Sequence, residues 1–151
     1  MQAAGAGFVI LCLFGMQAVP RTAGSDVSVR STRADALRVV LAQDGERIYN
    51  TRCMSCHQMG GRGVPGSFPP LVGTEWVMGD KGRLIRLLLH GLSGPIEVQG
   101  TTYSGTMPPW GGALDDEEIA AIATYIRTSW GNDASEVTAD EVARVRAATE
   151  G

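Results

Sequence analysis

Between Gly60 and Gly73 the chain reads GGRGVPGSFPPLVG, a stretch with five glycines and three prolines. Neither regular helix nor regular strand tolerates that composition, since glycine has no φ preference and proline lacks a donor N–H. A loop this long inside a compact domain wraps something or performs a task. A second Gly- and Pro-rich segment, Leu92 to Ala113, reads as another long loop. The remainder is helical. DALRVVLAQDGERIYNTR, residues 35 to 52, has a helical period, with a break or renucleation expected near Asp44. Gly45 and Tyr49 lie four apart on one face of it, small beside large. DKGRLIRLLLHG has Asp80 as N-cap and Gly91 as stop, and Leu84, Ile85, Leu87, Leu88 and Leu89 cover much of its circumference. In LDDEEIAAIATYIRTSWGN, Asp115 and Glu118 form a capping box, Ile119, Ile122, Ala123 and Ile126 an apolar face, and Gly131 the end. Thr138 caps a short helix from Ala139 to about Ala147. No useful length of β-alternation is visible. The fold class is all-α, three or four short helices joined by long loops. Such a chain has few apolar side chains for a core, and something bulky and apolar is expected to fill its middle.

A length of 151 residues suits one domain. Residues 1–24 read as a signal peptide: Phe8 to Val19 is an apolar run too short for a comfortable bilayer crossing, and small residues follow at Ala23, Gly24 and Ser25. The segment is irregular, with no Lys or Arg before the run and no A-x-A site, so retention as an N-terminal anchor is the alternative. Leu11 is too bulky to precede a lipidated Cys12. Residues 25–34 form a polar tether, 35–132 the folded domain, and 133–151 a C-terminal extension with a short helix. Cleavage near Gly24 leaves 12 basic against 16 acidic residues. No basic patch with interleaved aromatics exists, which excludes nucleic acid as partner.

Cys53-Met54-Ser55-Cys56-His57 is the C-x-x-C-H pattern of covalent haem attachment. Two thiols at this spacing can add to the two vinyl groups on one porphyrin edge, and the next residue, His57, is then held beneath the iron. A thioredoxin-like dithiol needs a βαβ context that is lacking. A structural zinc site needs a fourth ligand, and His90 is the only other histidine. The cofactor is therefore expected to be one haem c.

The iron needs a ligand on its other face. Met54 and Met59 are tied too closely to His57 to reach it. Met107, 50 residues beyond His57, is favoured, because Pro108 and Pro109 restrict the backbone beside it. Met78 and His90 are the alternatives.

With these motifs the chain resembles a class I, monohaem cytochrome c. GERIYNTRCMSCH resembles the first helix and attachment site of that family, FPPLVG its Pro-x-Leu-x-Gly turn, YSGTMPPW its methionine loop, and LDDEEIAAIATYIRTSWGN its last helix. The resemblance covers roughly residues 42 to 132. It implies helices and long loops wrapped around one haem, thioethers at Cys53 and Cys56, iron ligation by His57 and Met107, and a Pro69 carbonyl accepting the His57 Nδ1 proton. It also implies that Gly45 and Tyr49 cross the last helix near Ile122 and Tyr125. The closing SWGNDASEVTADEVARVRAAT resembles the cytochrome domains that accompany quinoprotein dehydrogenases and similar periplasmic respiratory enzymes. The segment from Gly91 to Thr106 is longer than in the smallest members of the family.

Among weaker candidates, Trp76 is placed to donate its indole N–H to a haem propionate, with core packing as the alternative, and Tyr103 to line the pocket near Met107. Arg83 and Arg86 are candidates to balance propionate charge or are simply solvated. Both axial positions filled by protein leave no open site for substrate, so the expected role is a one-electron carrier rather than an enzyme. Its partners would be a redox donor and acceptor, such as a quinoprotein dehydrogenase or a terminal oxidase. Its place would be the periplasm, with membrane contact only if the N-terminal segment is retained. A haem subunit of a larger dehydrogenase or oxidase complex, mainly structural or for assembly, is the rival role.

Overall fold

A computed structural model describes residues 42–149 and, outside that span, only residues 1, 35, 36 and 40. The apolar run, the export segment beyond residue 1 and the tether lie outside the described residues.

Residues 42–48 are helical (α1), without the break expected at Asp44, whose carboxylate is 3.5 Å from Arg47 one turn on. The helix widens instead at Tyr49–Cys53, a π-helical turn in which the Met54 N–H donates to the Tyr49 carbonyl, and continues as α2, Met54–His57. Such a widening inserts a residue into the helical ladder and re-aims the side chains that follow it. Two short helices come next: α3, Glu75–Met78, capped by Thr74, and α4, Lys81–His90, capped by Asp80 and closed by Gly91. The clearest helix is α5, Asp116–Thr128, with the Asp115–Glu118 capping box formed in both directions. It stops before Gly131, because Ser129 is extended and Trp130 adopts φ 57, which turns the indole back onto Tyr49 and Tyr125 at 4.8 and 5.4 Å between ring centroids. Helix α6, Ala139–Thr149, follows Thr138.

The second long loop is not a loop. Leu92–Val98 (β1) and Thr101–Met107 (β2) form an antiparallel hairpin, with Leu92 opposite Met107 and Ile96 opposite Tyr103. Gln99 and Gly100 at its tip both have positive φ, 50 and 74, the left-handed pair that matches the twist of two strands. The fold remains mostly helical with long connections.

Helices α1 and α5 cross where Gly45 meets Ala121 and Tyr125; a Cβ at position 45 would lie 2.7 Å from that of Tyr125. The core lies between α1, α4, α5 and α6, on Ile48, Leu88, Ile119, Ile122, Ile126 and Val142. Buried Arg127 ties three segments together by donating to the carbonyls of Val77, Gly79 and Ser135. Asn132 joins the end of α5 to the first loop, accepting from the Gly73 N–H and donating to the Leu71 carbonyl. Among the described residues no helix is long and apolar enough to cross a membrane.

Candidate functional site

Between these elements lies a cavity of about 320 Å³ with predominantly aliphatic and aromatic walls. Cys53, Cys56, His57, Pro69, Trp76, Tyr103 and Met107, all singled out from the sequence, line it together.

His57 ends α2, and its Nδ1 is 2.9 Å from the Pro69 carbonyl. A carbonyl can only accept, so Nδ1 carries the proton and Nε2 is left bare, with a lone pair that could bind a metal. Burial lowers the His57 pKa and the Pro69 carbonyl opposes that shift, which leaves a neutral ring at neutral pH. The carbonyl reaches the ring because Gly63 has φ 65 and no side chain; a Cβ there would sit 2.6 Å from the Pro69 oxygen. Cys53 and Cys56 form no disulfide and lie on the same wall. Burial, and then the Cys56 thiol, push Cys53 up to about 11. Behind them the Tyr49 hydroxyl donates to the Gln58 carbonyl at 2.6 Å, so the α1–α5 contact anchors the residue after His57.

Met107 is the last residue of β2, and the backbone after it returns to the end of α4. There the Trp110 and Gly111 N–H groups donate to the Leu88 and Leu89 carbonyls at 2.9 and 3.0 Å. These are carbonyls that a helix C-terminus leaves without partners in its own ladder. The methionine loop is thus bolted to a buried helix. Neither Met59, 82 % exposed, nor Met78, 40 % exposed, lines the cavity, and Met54 packs on the core. His90 Nε2 lies 2.7 Å from Thr149 Oγ1, away from the cavity.

Trp76 lines the cavity, but its indole N–H donates to the Glu97 carbonyl of β1 at 2.9 Å. Arg83 stacks over Trp76 and Arg86 lies 3.8 Å from Asp80; neither reaches the cavity wall. Sequence reasoning missed Arg52, which lines the cavity and sits 5.6 Å from the centre of the Trp110 ring. It also missed the hairpin that carries Tyr103 to the wall, and with it Leu92, Ile96 and Val98. Alternation in these strands was the available signal.

Two thiols, one bare imidazole nitrogen and a thioether around an apolar space form a donor set suited to an iron porphyrin. The profile of the cytochrome c family matches residues 42–130. The chain belongs to the cytochrome c family. It is 48% identical over 120 residues to a "Cytochrome c-552" of Thermus thermophilus, covering 72% of this chain and 79% of that protein. It is 36% identical over 111 residues to the "Gluconate 2-dehydrogenase cytochrome c subunit" of Pantoea cypripedii, covering 70% of this chain and 24% of that one. With the "Fructose dehydrogenase cytochrome subunit" of Gluconobacter japonicus it shares 32% identity over 134 residues, or 84% of this chain and 27% of that one.

As a cytochrome c with a closely spaced cysteine pair, the chain carries a single covalently bound haem c and is capable of redox electron transfer. Among the described residues no group of three or more His, Cys, Asp and Glu could hold a further metal ion.

Proposed function

We propose that Cys53 and Cys56 carry the thioether links, that His57 Nε2 and Met107 Sδ are the axial ligands, and that the chain passes single electrons between redox proteins of a respiratory chain. Haem c bound there supplies the Fe(II)/Fe(III) couple. The Pro69 carbonyl fixes the His57 tautomer and ring orientation. Leu88, Ile96, Val98 and Ile126 exclude water, and a thioether favours ferrous iron more than a second imidazole does, so the potential is fairly high. The reading is carried by one observation: Cys53, Cys56, His57 and Met107 share the cavity wall, while Met54, Met59, Met78 and His90 stay off it. Rapid mixing of the reduced protein with an oxidase or an oxidised cytochrome tests it. Full reoxidation without loss of methionine ligation supports it, and a protein that reacts only after losing that ligand refutes it.

In a second reading the chain is a haem-bearing subunit of a larger dehydrogenase or oxidase complex, with a mainly structural or assembly role. The names of the Pantoea and Gluconobacter relatives favour it over a freely diffusing carrier. Size-exclusion chromatography of a gentle native extract, followed at the haem absorbance, separates the two. A free carrier elutes near the 16.0 kDa of the chain and a subunit at much higher mass. Export to the periplasm belongs to both readings.

A further inference from the structure

We propose that Arg83 raises the reduction potential of the haem site by holding an unneutralised positive charge behind Trp76. This rests on the haem reading above.

Trp76, on α3, is part of the cavity wall, and its bond to the Glu97 carbonyl fixes the indole between α3 and the hairpin. The Arg83 guanidinium lies over that ring, 4.7 Å from its centroid. One of its terminal nitrogens donates to the Glu75 carbonyl, while its Nε is buried with no hydrogen-bond partner. Among the described residues no carboxylate comes within ion-pair distance of it. Asp80, the nearest acid in sequence, accepts the Arg83 backbone N–H at 2.7 Å and faces Arg86 at 3.8 Å.

An unpartnered buried donor on an unpaired cation costs stability, and the face of the indole returns only part of that cost. The arrangement therefore keeps a full positive charge one aromatic ring from the cavity; water screens its half-buried guanidinium in part, while the apolar ring between them transmits the rest of its field. Oxidising ferrous to ferric iron adds one positive charge at the site. A fixed cation nearby opposes that gain, stabilises the ferrous form and raises the potential. Arg83 touches neither iron nor porphyrin in this scheme; it is a positioning residue that acts through Trp76.

Spectroelectrochemical titration of holoprotein variants tests this. Arg83→Gln and Arg83→Met should keep covalent haem and the red sulfur-to-iron band yet titrate at lower potential. Arg83→Lys, which restores the charge, should recover most of the shift. Arg86→Gln, at the exposed ion pair, should stay at the wild-type value. Trp76→Leu keeps the cation but removes its seat, so it should also lower the potential, although leucine is no more polar than the indole. A wild-type potential in Arg83→Gln or Arg83→Met with the band intact overturns the inference. So does a fall in Arg83→Lys as large as in Arg83→Gln, or no fall in Trp76→Leu. A wild-type chain without covalent haem overturns the haem reading and this inference together.

Discussion

Pro69 reaches the His57 imidazole through space that a side chain at Gly63 would occupy, and the Gly63 N–H in turn donates to the His57 carbonyl at 2.9 Å. Gly63→Ala must therefore strain its left-handed backbone, at about 1–2 kcal/mol, or push the Pro69 carbonyl off Nδ1. Losing that acceptor makes the imidazole a weaker base and so supports ferric iron less. The variant should unfold at lower denaturant and titrate at higher potential, measured by chemical denaturation and redox titration. Met107 has the sharper test. Met107→Ala should abolish the red absorption band of the oxidised protein and admit cyanide, and Met107→His should lower the potential, while Met59→Leu and Met78→Leu should do neither. Persistence of the band in Met107→Ala would refute the proposed ligation. These residues stood out in the sequence because attachment and ligation demand specific atoms: two thiols, an imidazole, a thioether. The true partner of the Trp76 N–H did not, because the Glu97 carbonyl is backbone and no residue type announces it.

The hairpin was hidden for a similar reason at the next scale up. Leu92, Gly94, Ile96 and Val98 alternate along one strand, and Tyr103, Gly105 and Met107 along the other. Gly94 and Gly105 are direct partners and erase the apolar signal at its centre, and Gln99-Gly100 is a less telling turn pair than Asn-Gly. The helices were legible because their caps are local: Asp80, Asp115 and Thr138 each receive the N–H three residues on. How α6 docks was not legible, since it depends on distant partners. Val142 is fully buried, Lys81 Nζ is 3.0 Å from Glu141, and Arg146 donates to Asp116 at 2.7 Å and to the Gly111 carbonyl at 2.6 Å. Val142→Ala should destabilise the protein by about 2 kcal/mol in denaturant melts. The Thr138 backbone N–H, and then the Lys81 ammonium, hold the Glu141 carboxyl below its ordinary range. Its contribution is thus present above the ordinary glutamate pKa and is lost as pH falls through the depressed one. Because water reaches this pair, the loss should stay under about 1 kcal/mol, and Glu141→Gln should remove that part of the acid dependence.

For the molecule as a whole, the cavity sets the terms of folding. Left unfilled, it leaves the apolar faces of Leu84, Leu88, Ile122 and Ile126 without a packing partner, a loss set against the roughly 5–15 kcal/mol that holds a whole domain together. The haem-free chain, made in a cytoplasm without attachment machinery, should lose most of its far-ultraviolet helical signal; near-native ellipticity would show that the side-chain core suffices alone. Charge is distributed just as unevenly. The chain carries a net −3, yet no acidic residue lies between Arg47 and Glu75 and no charged residue between Glu97 and Asp115. These are the segments that supply the first loop, the whole of the hairpin's second strand and the methionine loop around the cavity, with Arg52 on the wall and Phe68 38 % exposed. A small reagent approaching the cavity meets the charges within about 10 Å at 0.1 M salt, rather than the net charge of the molecule. Oxidation of the ferrous protein by anionic hexacyanoferrate should therefore slow as salt is added, and more so than oxidation by a cationic cobalt complex. Arg52→Gln should flatten that dependence. A hexacyanoferrate rate that rises with salt would mean that the acidic surface elsewhere governs approach. A protein partner docking on the same rim should feel the same local charge, so an acidic partner associates more slowly as salt is added and Arg52→Gln weakens that dependence too.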